Sequence, residues 1–154
     1  MSEQVQQPIF GIEKIYVKDL SLEVPGAPMV YLDGNMPEIQ IQIGHAVQPM
    51  EGALFEVSLR VTVAGMVGEK AQFMVEVSQA GIFQATNVAE EDMGTLYGIV
   101  CPNVLFPYAR ETVSDLVTRA GFPPVLLSPI NFELLHQQRL AEAEQEASRI
   151  QVAP

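Results

Sequence analysis

The chain has 154 residues, 48% of them hydrophobic, which is enough for one domain with a buried core and too short to suggest two. Nineteen acidic against eight basic residues give a formal charge of -11, which argues against nucleic acid or anionic membranes as partners and suits either simple solubility or basic partners. A single cysteine, no leading targeting stretch and no apolar run near the roughly 20 residues that cross a bilayer predict a cytoplasmic protein that does not insert into membranes.

Residues 1–8 are polar and glutamine-rich without periodicity, which predicts a disordered lead. Four strands are expected next. The first, about Ile15 to Val24, changes phase near Lys18 and Asp19: Ile15 and Val17 share one parity and Leu20 and Leu22 the other, as a bulge or an edge twist would produce. The loop from Pro25 to Pro37 holds three prolines and two glycines, yet also Met29, Val30, Tyr31, Leu32 and Met36, so it either covers a core or lines a binding groove. Glu38–Ile43 and Phe55–Val63 alternate strictly, which places Ile39, Ile41, Ile43, Val57, Leu59 and Val61 on an inward face. Ala71–Ser78 repeats the pattern with Ala71, Phe73, Val75 and Val77 inward, and Gly65–Glu69 turns the chain between these two strands. If Leu20 and Leu22 face the core, Asp19, Ser21 and Glu23 project to the wet face, with Glu76 outward beside Met74 and Ser78.

The second half changes period. Thr86 or Asn87 is the expected cap of a helix whose first turn carries Glu90, Glu91 and Asp92, where carboxylates suit the helix dipole. The stretch CPNVLFPYARE, Cys101 to Glu111, carries Pro102 and Pro107, which predict a corner between two helices with Val104, Leu105, Phe106 and Tyr108 packed at the bend. A second helix, Tyr108–Ala120, has Val113, Leu116 and Val117 as an apolar stripe, for a core or for a subunit interface, and is stopped by Gly121 and Pro123. Ser128 or Asn131 opens a third helix with Phe132, Leu134 and Leu135 early and an acidic, solvated end at residues 141–154. Strands followed by helices read as an α+β domain, residues 9–140, with helices covering one face of a four-stranded antiparallel sheet.

Candidate chemistry is sparse. His45, His136 and Cys101 form no recognisable metal-ligand spacing, and Cys101 suits a small buried apolar position. No phosphate-binding glycine loop, nucleophile elbow or helix-borne histidine pair occurs, so neither a cofactor nor an enzyme activity is expected. The contrasting reading is a small-ligand carrier or enzyme with a compact ligand between sheet and helices.

The stretch CPNVLFPYARE closely resembles the signature of SecB, the bacterial export chaperone family that keeps newly made secretory proteins unfolded. The resemblance covers roughly residues 9–140 and is carried also by IEKIYVKDLSLEVPGAP at Ile12–Pro28, LRVTV at Leu59–Val63, AGIF at Ala80–Phe83 and GFPPVLLSPINFELL at Gly121–Leu135. Ala80 stands where the family usually has a glycine, and the long loop lacks the tryptophan that many members carry. The resemblance implies an ATP-independent holding chaperone, a dimer of dimers with helices layered between two outer sheets, which passes preproteins to SecA, the ATPase that drives secretion. It implies that Asp19, Glu23 and Glu76 form the SecA-docking surface. It further implies a client groove, for which Met29, Tyr31, Met36, Leu126, Leu127, Phe132 and Leu135 are the candidate lining residues. Some SecB-like proteins protect an antitoxin instead, and retention of the three acids argues for export.

Overall fold

Alternating apolar residues generate four long strands: β1 (Ile9–Glu23), β2 (Glu38–Pro49), β3 (Leu54–Val67) and β4 (Lys70–Thr86). The structure is a computed structural model and describes residues 6–152, so residues 1–5 of the expected lead and 153–154 of the acidic end lie outside the described residues. The strands form one antiparallel sheet in the order β1-β4-β3-β2, which makes β1 and β2 its edges. Every strand is longer than its alternating stretch, because ladder pairing continues through residues such as Gly44, Gln48, Ala80 and Gly81 that break the polarity pattern.

The phase change in β1 is a bulge, and there are two. The register with β4 slips between Ile12 and Lys14 and again between Val17 and Asp19, leaving Glu13 and Lys18 as the extra residues. Each slip reverses the parity, so Phe10 and Ile12, then Ile15 and Val17, then Leu20 and Leu22 all stand on one face, opposite Ala85, Phe83, Gly81, Gln79, Val77 and Val75. At the second bulge the Gln79 side-chain amide donates to the Tyr16 carbonyl at 3.1 Å.

Helices cover that face. A short helix α1 (Glu90–Thr95) runs through a wider π turn, Leu96–Val100, into α2 (Cys101–Arg119), and α3 (Phe132–Val152) follows after an irregular segment. The expected corner at CPNVLFPYARE is therefore corrected to an unbroken helix. Pro102 follows directly on the π turn, where the winding already departs from regular i→i−4 pairing. Pro107 lies inside it, but Pro107 and Asn103, whose carbonyl loses its partner, are both exposed to water. The expected cap is corrected as well: Thr86 ends β4, Asn87 is left-handed with φ 59°, and α1 starts after Ala89 without a side-chain cap. Glu90, Glu91 and Asp92 do occupy its first turn, and Asn131 caps α3 by accepting from the Leu134 N–H at 3.0 Å.

The core is the β3–β4 face closed by α2. Phe55, Val57, Leu59, Val61, Val63, Phe73, Val75, Val77 and Phe83 pack against Cys101, Leu105, Phe106, Ala109, Val113 and Val117. The stripe on α2 is thus core within a single chain. Gly65 is required where it pairs with Phe73, since a Cβ there would collide with the Phe73 ring.

Candidate functional site

The sheet runs out from under its helix layer at β2. Ile39, Ile41 and Ile43 stand on the helix-side face, paired with Gly65, Val63 and Val61, but Ile39 and Ile41 are 38% and 46% exposed. Their expected inward placement is correct in direction and wrong in burial: α2 lies over β3 and β4, and the edge strand is left open. Residues 122–130 pass opposite these isoleucines, and together with Met36, Pro37 and Phe73 they enclose an apolar groove of about 610 Å³. Ser128 is the one polar residue among its lining residues, and Pro37, Pro123, Pro124 and Pro129 keep its walls extended and poor in backbone donors. Such a trough offers apolar contact along an extended segment with little demand for a particular sequence.

The loop 25–37 both covers and lines. Val30 is buried under it, and the Tyr31 hydroxyl donates to the Ala120 carbonyl at 2.6 Å while its ring packs on Phe122. Past that anchor, Met36 reaches the groove mouth with 91% of its surface exposed. Of the seven candidate lining residues, Met36, Leu126 and Leu127 line this groove. Met29 borders a separate, more polar hollow with Asp33, Asn35 and Lys70, and Tyr31 serves as the anchor. Phe132 is buried edge-on against Phe106 and Leu135 packs on the core, so neither lines the groove. Ile39, Ile41, Ile43 and Val125 are the lining residues that sequence reasoning missed; the signal was the same alternation, in a strand that proves to be an edge.

The other face of the sheet gathers carboxylates. Ser21 pairs with Glu76, flanked by Asp19 opposite Ser78 and Glu23 opposite Met74, so Asp19 and Glu23 are the diagonal neighbours of Glu76, roughly 7–8 Å away. Asp19 and Glu23 are exposed and Glu76 half-buried. Arg60 on β3, also missed, reaches Glu76 at 3.4 Å, but both side chains are solvated and the pair is weak. Further along this face Lys18, from the second bulge, donates to Glu56 at 2.6 Å and Tyr16 donates to the other Glu56 oxygen. The bonds from Lys18 and then Tyr16 hold the Glu56 carboxyl below its usual range, while burial and then Glu56 push the Tyr16 phenol up to about 12. Burial pushes the Cys101 thiol up to about 12, consistent with an inert core position.

Residues 3–143 match the family model described as SecB, preprotein translocase subunit SecB. The chain belongs to the SecB family. A protein-export protein SecB of Chromobacterium violaceum is 59% identical over 146 residues, covering 94% of this chain and 97% of that protein. The SecB of Methylobacillus flagellatus is 53% identical, covering 90% and 88%, and that of Neisseria gonorrhoeae 53% identical, covering 94% and 97%. The fold resembles the solved SecB-like chaperone of Mycobacterium tuberculosis in complex with an antitoxin peptide, with a TM-score of 0.64 at 19% identity, covering 79% of this chain and 88% of that one. Membership gives this SecB-family chain a role as a chaperone of protein export. Among the described residues no helix is long and apolar enough to cross a membrane.

Proposed function

We propose that the chain is an ATP-independent holding chaperone that keeps non-native preproteins extended in the groove over β2 and passes them to SecA through the acidic face of β1 and β4. It works in the cytoplasm and performs no covalent chemistry. The observation that carries this reading is the groove itself, apolar, open along its length and set on the opposite face of the sheet from the carboxylates, so client and SecA do not compete for one surface. One buried apolar side chain contributes at most roughly 1.5–3 kcal/mol, so useful affinity needs several grooves engaged by one client, which an assembly of two dimers supplies. The working unit is residues 9–140, with 141–154 as an acidic end. An antitoxin client, the class bound by the M. tuberculosis protein, is the second reading, and the preserved cluster of Asp19, Glu23 and Glu76 favours export.

The direct test dilutes a denatured secretory preprotein without ATP and follows light scattering. The unaltered chain is expected to suppress aggregation, and Ile41→Asp, which sets a charge on the groove floor, to lose most of that effect while remaining folded. Suppression unchanged in Ile41→Asp would move the client elsewhere. For SecA, simultaneous charge reversal of Asp19, Glu23 and Glu76 to lysine should abolish binding, and binding to the unaltered chain should weaken steeply with added salt, since exposed charges are screened over about 8 Å at physiological ionic strength. SecA binding that survives the triple reversal refutes the docking assignment.

A further inference from the structure

Helix α3 is anchored by its first three turns, because every residue from Leu140 to Ile150 is exposed. Leu135 packs on the core, and three further contacts hold the helix. Phe132 is buried against Phe106, and His136 sits over Gly98 in the π turn, where a Cβ would come within 2.5 Å of the ring. Arg139 contacts His45 Nδ1 on β2, two residues along the same face from Ile43 at the end of the groove floor.

That last contact has a defined protonation state. A guanidinium carries donors and no acceptor, so His45 Nδ1 must offer a lone pair and the ring proton must sit on Nε2. A proton arriving at Nδ1 replaces the acceptor with a donor and sets an imidazolium against a guanidinium. Among the described residues, the charged or titratable groups that bear on the ring are Arg139 and His136, both on α3, and Val57, Leu59 and Val61 on β3 are its nearest same-face neighbours. We propose that the Arg139–His45 hydrogen bond is a pH-sensitive clasp that fastens α3 to β2 and releases when His45 takes up a proton.

The direction follows from linkage. Burial first, then the charge of Arg139, then His136, lower the proton affinity of docked His45 below its ordinary value of 6.5. With α3 detached the ring returns towards that value, so the detached state binds more protons. Docking is fully present above about 6.5 and weakens as pH falls through it, by up to about tenfold per unit for one proton.

Amide exchange on the full chain, corrected for its intrinsic pH dependence, tests this between about pH 7.5 and about pH 5.5. Protection in the first turns of α3 should fall several-fold relative to β3 and β4, and in His45→Gln, whose side-chain oxygen accepts from Arg139 without titrating, it should stay level. A level profile in the unaltered chain, or an equal fall in His45→Gln, overturns the proposal. Proton titration of His45 by NMR gives a second reading: its midpoint should lie below 6.5 and rise in Arg139→Gln. A midpoint that Arg139→Gln leaves in place also overturns it.

Discussion

Tyr16, Lys18 and Glu56 illustrate how single residues on a solvated face acquire unusual chemistry. The second bulge turns Lys18 toward β3, and Glu56 accepts from both it and the Tyr16 phenol, across the width of β4. Ala80 stands between Tyr16 and Ser58 in the ladder and is fully buried although it is on the outer face, so the residue that departs from the family's usual glycine sits under this cluster. The Tyr16–Glu56 bond needs a neutral phenol and an ionised carboxylate. The phenol's raised value means that its contribution is complete below its ordinary 10.0 and is lost as pH climbs to about 12; that of Glu56 is present above 4.5 and is lost as pH falls below it. A phenolate absorbance titration should therefore show one tyrosine ionising near 12, and Glu56→Gln should bring it back toward 10.0. If the late step persists in Glu56→Gln, burial alone sets the Tyr16 value.

Elements differ in how legible they are before the structure is known. Strict alternation marked β2, β3 and β4, and the parity change in Ile15, Val17, Leu20 and Leu22 located the second bulge; the first was missed because the alternation was read only from about Ile15 onward. The run of α2 through CPNVLFPYARE was misread because proline signals local backbone preference, whereas Pro102 follows the π turn and Pro107 turns to water. The groove was half legible: the apolar loop and the segment 121–135 were marked, but which isoleucines stay uncovered depends on where α2 lies across the sheet. The cap of α3 was legible as Asn131 or Ser128, and Asn131 fills it. Asn131→Ala removes that acceptor from the Leu134 N–H and should cost about 1 kcal/mol of local stability, seen as roughly fivefold faster amide exchange in the first turn of α3 with β3 and β4 unchanged. Exchange unaltered there would mean that Phe132 packing alone fixes the helix start.

At the scale of the molecule, one surface remains unexplained by either the groove or the acidic face. On the helix side of edge strand β1, Ile12, Val17 and Leu20 are 49%, 42% and 46% exposed, although their ladder partners Phe83, Gln79 and Val77 are buried. The Gln79 side-chain oxygen, beside Val17 in that ladder, is buried without a partner among the described residues. An open strand edge with an apolar flank suits pairing with another chain, and in the proposed assembly of two dimers a two-fold axis would let β1 of a second copy run antiparallel to the first and extend the sheet. The -11 charge of each chain opposes association, so the contact must be apolar where it forms, as this strip is. Val17→Lys with Leu20→Lys places two cations on the strip while leaving the ladder and the α2 core intact. Size-exclusion chromatography with light scattering should show the unaltered chain as an oligomer and the double variant shifted to a smaller particle with unchanged circular dichroism. A double variant with the same mass as the unaltered chain would place the subunit contact on the helices instead of on β1.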